Sequence, residues 1–457
     1  MLRNSTKTAS FFLIVTATLI FALFLARVAA AQSKLNNTRL GKGAPHNNTT
    51  GSNNTALGFN ALFPPAVVIH VDDDAAPGGN GTARFPFDNL PDAVDAARAV
   101  AGAVIIKVEP GNYALAETLV IDRSLDLRGS TEQVDDSDSW PTGEVIAGTA
   151  TRVFASNPAL TQLVLVDRGD GTVLGDVHIR GFVFEGTATG ISLLLNRVQG
   201  YRIADNVFRA PANFGMQSVA SSGRVSGNHF SGIGTGAILT GGYPESPSNV
   251  VFQSNRAVRN TTGGVLLNGA SFNIPELGDE VTAIVRNNDL SDNVGVQGFG
   301  FRAFILRRDL GALGDSQSSA SVFAVIRSNR IVGNRVGVFI DAGFPYRSVG
   351  TTCDSRVYSG TVDLRFARNT IAESLLTSSL VTFTRNQAAL DPALLPQWQY
   401  LHNSIFTISD PDAVLAEAWI DHPATDPLLG SCPADVTHEA LGNVLIYNGQ
   451  ELHGRNF

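Results

Sequence analysis

Apolar residues along most of this chain recur in short alternating runs, and each run carries an asparagine at the same place. A motif of the form apolar-x-x-Asn-x-apolar occurs from Ile203 to Phe208 around Asn206, from Val225 to Phe230 around Asn228, and from Val285 to Leu290 around Asn288. It returns from Ile326 to Ile331 around Asn329 and from Phe366 to Ile371 around Asn369, with variants at Ile179 to Phe184 and Phe252 to Asn255. Positions 182, 206, 228, 255, 288, 329 and 369 are separated by 24, 22, 27, 33, 41 and 40 residues. Alternation means strand, and a period of 22 or more with a fixed asparagine means one coil of a stack per repeat. Parallel strands stacked at about 4.8 Å need apolar inward side chains, and a tight corner favours residues tolerant of the left-handed region, such as Asn and Gly. The asparagines therefore read as corner residues that can also hydrogen-bond from coil to coil, and none is assigned to chemistry.

Upstream, Val67-Val68-Ile69-His70-Val71 reads as a strand, followed by turn chemistry in Asp72-Asp73-Asp74 and Pro77-Gly78-Gly79-Asn80-Gly81-Thr82. Asn89 can cap a short helix through about Ala101, whose Leu90, Ala93, Val94 and Ala97 form one apolar stripe. Val104 to Val108, Pro110-Gly111-Asn112-Tyr113, Leu119 to Ile121 and Leu125 to Gly129 follow. This order resembles the opening segment of the right-handed parallel β-helix proteins, the pectate-lyase-like superfamily. The resemblance covers residues 67 to 130 in detail and the remainder through its repeat. It implies an all-β chain with residues 67 to 405 in a single-stranded right-handed parallel β-helix of about ten coils. A short N-terminal helix caps that stack, and residues 406 to 457 form an irregular C-terminal cap. In the cap, Asp412 to Ile420 reads as a short amphipathic helix.

Before the stack, Arg3 and Lys7 precede an apolar run of 16 residues from Phe11 to Ala26, and Ala29-Ala30-Ala31 offers a cleavage site. That is the pattern of a secretory signal peptide over residues 1 to 31, too short for a span of about 20 residues. The mature protein is expected to be secreted or extracytoplasmic and without a membrane segment. Residues 32 to 66 are Asn-rich and lack an apolar period, which reads as a flexible leader. Within it Asn36-Asn37-Thr38-Arg39-Leu40-Gly41 returns 17 residues later as Asn53-Asn54-Thr55-Ala56-Leu57-Gly58, resembling the short repeats of trimeric surface adhesins and phage tail fibres.

Composition narrows the function. Net charge is −8 and pI is near 5.5, which excludes a phosphate-tracking nucleic-acid surface. The lysines are Lys7, Lys34, Lys42 and Lys107, so no lysine chemistry is open to the rest of the chain. Cys353 and Cys432 are the two cysteines, either one disulfide in an oxidising compartment or two buried thiols.

Spacing beyond 22 locates inserted loops near Asn268 to Glu280, Arg302 to Ala320 and Ala342 to Ser359, rich in acids, arginines and tyrosines. Loops on a rigid scaffold are where binding residues concentrate. Arginine suits carboxylates bidentately and aromatic rings suit sugars, so the expected partner is a polysaccharide. The β-helix resemblance implies polysaccharide lyases, whose base is Lys or Arg, often with Ca²⁺ on clustered acids. Lysine being absent, the base would be Arg302, Arg307 or Arg308, with Asp279, Glu280, Asp309, Tyr346 and Arg347 binding substrate. The metal ligands stay unassigned. The polygalacturonase motifs Asn-Thr-Asp, Gly-His-Gly and Arg-Ile-Lys do not occur in the coil region. A glycosidase pair would have to come from Asp279 and Glu280 with Asp309 or Asp315. Asp72-Asp73-Asp74 and Asp135-Asp136-Ser137-Asp138 read as turn residues before Ca²⁺ ligands. Three functions remain open at this point: a polysaccharide-active enzyme, a non-catalytic cell-surface adhesin, and a structural envelope protein.

Overall fold

The computed structural model describes residues 39–40, 56–57, 66–138, 140–242, 246–269, 279–295, 298–304, 318–341, 358–372, 377–382, 400–409, 415–419, 443–447 and 450–452. The chain divides into two compact units, one comprising Met1–Val67 with Ala101–Ala103, the other comprising the rest. In the first unit Arg39–Leu40 pairs in parallel with Ala56–Leu57, in the register Arg39↔Ala56 and Leu40↔Leu57, so the two copies of the 17-residue repeat lie strand on strand.

The second unit is a right-handed parallel β-helix. Each full coil passes through three sheets, exemplified by Val198–Ala204, Val207–Arg209 and Phe214–Val219. Stacking these coils produces a fourteen-strand, a six-strand and a ten-strand sheet, all parallel along their length but for the final strand. Leu125, Leu127, Val177, Ile179, Tyr201 and Ile203 face inward from successive strands of the fourteen-strand sheet and are buried. Alternate residues face outward, as the period of two requires.

The expected cap forms. A helix spans Leu90–Arg98, where the Asn89 side chain accepts the Asp92 N–H and Leu90, Ala93, Val94 and Ala97 are buried. Arg123 closes its other end by donating to the carbonyls of Ala97 and Val100. The Pro-Gly-x-Tyr turn has a steric reason: the Asp73 carboxylate stands where a Gly111 Cβ would be, and its Oδ2 accepts the Asn112 N–H at 2.6 Å.

The asparagines form a ladder at the corner between the fourteen-strand and six-strand sheets. Asn206, Asn228, Asn255, Asn288, Asn329 and Asn369 are each buried. In each step the Oδ1 of one accepts both the backbone N–H and the Nδ2–H of the asparagine one coil earlier, at 2.9–3.2 Å between Asn255, Asn288 and Asn329. The residue in the left-handed region is not this asparagine, as the sequence suggested, but the one before it: Asp205, Gly227, Ser254, Asn287, Ser328 and Arg368 have φ of 53–68°. A second ladder, Asn260, Asn293 and Asn334, lies at the next corner, behind Arg259, Asp292 and Gly333. Inside, Phe182, Phe184, Phe208, Phe230 and Phe252 stack with centroids 4.7–6.1 Å apart.

Parallel pairing continues beyond residue 405, through Tyr400–Ser409 to Asn443–Tyr447, and the antiparallel strand Gln450–Leu452 ends it. Leu415–Trp419, read from sequence within a helix, is a strand paired with Thr377–Thr382. Its helical composition yields to a preformed edge offering backbone partners.

Asn288 accepts from two donors on Asn255 and donates to the carbonyl of Phe252 and to Asn329. Each buried polar group left unpaired costs about 1–3 kcal/mol, so Asn288→Ala should lower stability by about 3 kcal/mol or more. The neighbouring Asn287→Gly, at φ 53°, should be neutral or stabilising. Urea denaturation of the two variants checks this, and equal losses would refute the ladder's role.

Candidate functional site

The outward face of the fourteen-strand sheet carries an unusual charge pattern. Register places Asp126, His178, Arg202 and Arg224 in one column across four successive coils. The adjoining column begins Lys107, Arg128, Arg180 and, past Ala204, Ser226 and Gln253, ends in Arg286 and Arg327. Successive residues of a column stand one strand interval apart, about 4.8 Å, and the two columns, two residues apart along each strand, about 6.6 Å. Lys107, Arg180, Arg202, Arg224 and Arg327 are exposed. Among the described residues Arg180, Arg202, Arg224 and Arg327 form no ion pair; Arg128 is paired with Asp126, and Arg286 donates to Gln253 Oε1.

The sheet widens toward its C-terminal coils, from five residues in Ser222–Ser226 to eight in Asp279–Arg286 and ten in Ser318–Arg327 and Tyr358–Ala367. Part of the excess spacing read as loop is therefore sheet. The remainder leaves at one corner: segments 270–278, 305–317 and 342–357 each follow a strand of the ten-strand sheet and precede one of the fourteen-strand sheet.

The six-strand sheet looks different. There Glu185 is bound by Arg152 and Arg209, and buried Asp289 by Arg256 and Arg330. Burial alone would raise the Glu185 carboxyl, but its hydrogen bonds to Arg152 and Arg209 outweigh this and hold it below the usual range. A hairpin inserted in the second coil, Gln133–Asp135 with Pro141–Val145, lies along this corner. Asp136 pairs with Arg256 at 2.8 Å, Trp140 Nε1 donates to the Asn287 carbonyl at 3.2 Å, and His229 Nδ1 donates to the Pro141 carbonyl at 2.9 Å. The sign alternation on this face and the run of like charge on the other are set by the same stacking.

Of the residues singled out from sequence, Asp279 and Glu280 are on the fourteen-strand sheet, with Glu280 exposed. Arg302 is on the ten-strand sheet, half-buried, its guanidinium 4.4 Å from the Phe339 ring centre and 5.8 Å from that of Phe299. Arg302 and the two acids thus flank the corner where the inserted segments leave, on different sheets. Arg307, Arg308, Asp309, Tyr346, Arg347, Cys353 and Cys432 lie outside the described residues. Asp72, Asp73 and Asp74 place carboxylate oxygens within 4.8 Å of one another. Asp72 Oδ1 and Asp73 Oδ2 accept backbone N–H groups of Asp74 and Asn112, which is turn chemistry and supplies no reason for a Ca²⁺ ion there. Sequence reading missed the arginine columns, whose only signal is outward position within strands 21–52 residues apart. No helix among the described residues is long and apolar enough to cross a membrane.

No protein-family model and no curated protein matches the sequence. Among solved structures, a rhamnogalacturonan lyase aligns over 65% of this chain and 73% of its own, at 12% identity and a TM-score of 0.29. DFA-IIIase from Arthrobacter chlorophenolicus A6 in complex with DFA-III aligns over 76% and 96%, at 15% identity and a TM-score of 0.32. Geobacillus virus E2 ORF18 aligns over 69% of this chain at 13% identity and a TM-score of 0.35; the chain spans 62% of that protein.

His229 yields a prediction. Burial, reinforced by the charges of Arg256 and Arg259, pushes its imidazole down to about 4. Its folded value lies below the unfolded one of about 6.5, so the unfolded chain takes up the proton first. The stability contribution is complete above about pH 6.5 and is lost as pH falls from there toward about 4, by about 2 kcal/mol between pH 7 and pH 5. His229→Gln keeps a donor for the Pro141 carbonyl and should flatten that slope in denaturation curves collected across the interval.

Proposed function

We propose that the protein is an extracytoplasmic polysaccharide-binding or polysaccharide-active protein, and that it holds an acidic glycan along the outward face of the fourteen-strand sheet. The observation that carries this reading is the stacking of outward arginines that form no ion pair among the described residues, Arg202 on Arg224 and Arg286 on Arg327. Like charges directly opposite across a strand pair are destabilising. The six-strand sheet of the same molecule answers each such position with a carboxylate, whereas Arg202 stands on Arg224 and Arg286 on Arg327. A chain of net charge −8 repels polyanions in general, so retention of a local cationic strip supports an anionic ligand. Arginine's planar fork matches carboxylate or sulfate groups bidentately, and forks held on a rigid sheet suit a polymer that carries several such groups.

If the protein is catalytic, β-elimination next to a uronate carboxylate is the chemistry favoured. Arg302, Arg307 or Arg308 would then act as base, with Asp279, Glu280, Asp309, Tyr346 and Arg347 orienting substrate, and Ca²⁺ joining where acids cluster. The non-catalytic adhesin is the second reading, and it uses the same face.

The test measures binding of purified mature protein to polygalacturonate, alginate and a neutral glucan, with and without Ca²⁺, while following absorbance of an unsaturated uronate product. Acidic glycans should bind and the neutral one should not, with affinity falling steeply as salt rises. Replacing both Arg202 and Arg224 by Glu should weaken binding at least tenfold without loss of fold. Binding without product selects the adhesin. Absence of binding to every acidic polymer would overturn the proposal.

A further inference from the structure

The first column of the cationic face is interrupted by a histidine. His178 stands between Asp126 and Arg202 in register, its Nδ1 4.0 Å from Asp126 Oδ2. The groups around it come from three strands: Asp126 and Arg128 on Leu125–Arg128, Asp176 and Arg180 on and beside its own strand Val177–Arg180, and Arg202 on Val198–Ala204. Three enclosed polar atoms of this group, Asp126 Oδ1, Arg128 Nε and His178 Nε2, have no hydrogen-bond partner. The His178 side chain nevertheless keeps 25% of its surface exposed on the face it shares with Arg202.

We propose that His178, Arg202 and Arg180 form an anion subsite of this face, and that His178 takes up a proton when a carboxylate or sulfate of the glycan binds. The inference rests on the glycan reading above and specifies its chemistry. In the free protein the imidazole is held below its ordinary value by burial first, with Asp126 and Asp176 opposing and the cations Arg202 and Arg128 adding to the depression. An anion seated against Arg202 offsets those cations and itself favours imidazolium. The proton then gives Nδ1 a charged partner in Asp126 and turns Nε2 from an unpartnered atom into a donor. Because proton and anion favour each other reciprocally, affinity rises as pH falls through the window below about 6.5, by at most tenfold per pH unit for one proton.

Titration calorimetry at pH 6.0 in buffers of different ionisation enthalpy counts the protons taken up on binding. Dextran sulfate is the first probe, since its charge is constant across this range. Polygalacturonate, fully ionised at pH 6.0, is the second and tells carboxylate from sulfate preference. Wild-type protein should take up a fraction of one proton and bind several-fold more tightly at pH 5.5 than at pH 7.5. His178→Gln should bind with no such uptake and little pH dependence, and His178→Lys should bind tightly at every pH without uptake. Thermal melts verify that both variants fold. Uptake of equal size in wild type and His178→Gln, or wild-type binding without uptake, overturns the subsite while leaving the cationic face standing. No binding of either polymer at any pH overturns the face itself.

Discussion

Parallel pairing of the backbone in register, coil on coil, is the constraint from which the other features follow. Each residue in a strand stands one strand interval from the equivalent residue of the next coil, so a single choice of residue type is repeated as a column. Inside, repetition is favourable. Phenylalanines stack at 4.7–6.1 Å, and asparagines satisfy one another and the orphan backbone groups of the corner. The corner needs two residues in sequence for two different reasons. One turns the backbone through the left-handed region, and the next reaches inward with an amide that both donates and accepts.

Outside, the same repetition turns charge into a problem that each face solves in its own way. On the six-strand side, Asp289 is placed between Arg256 and Arg330, and the inserted hairpin brings Asp136 to Arg256 as a second carboxylate. That hairpin leaves the stack at the second coil and is fastened as far on as Asn287, so it ties early coils to late ones along this corner. On the fourteen-strand face Asp126 pairs with Arg128 and Gln253 accepts from Arg286, while among the described residues Arg180, Arg202, Arg224 and Arg327 form no ion pair.

What the sequence disclosed tracks the range over which each signal acts. The coil period, the helix capped by Asn89, and the coils that carry insertions are local or strictly repetitive, and they were legible. The second ladder was missed although Asn260, Asn293 and Asn334 each lie five residues after a member of the first, because it spans only three coils. Leu415–Trp419 was misread because Ala, Leu and Glu favour helix locally, while the strand is imposed by an edge assembled from residues more than 30 positions away. The arginine columns were invisible for a different reason. Arg202 and Arg224 acquire meaning only through register, and each alone is an ordinary outward residue of a strand. Asp279 and Glu280 were found together with Arg302 in sequence, but the corner assigns them to different sheets.

The magnitude of like-charge stacking explains how such a face persists. Two unit charges 4.8 Å apart repel by about 1 kcal/mol in water, and salt at physiological strength screens them further, with a Debye length of about 8 Å. Exposed arginines also spread their charge away from one another, so each contact in the column costs the fold little. An anionic polymer laid along the column meets all of the cations at once, and its successive groups bind at the high effective concentration that a shared chain provides. Under the proposed function, small repulsions distributed along a rigid stack would become a large attraction for one class of ligand. The rigidity comes from the asparagine ladder directly beside the face, which keeps the interval between arginines fixed while the solvent-exposed side chains remain free to adjust.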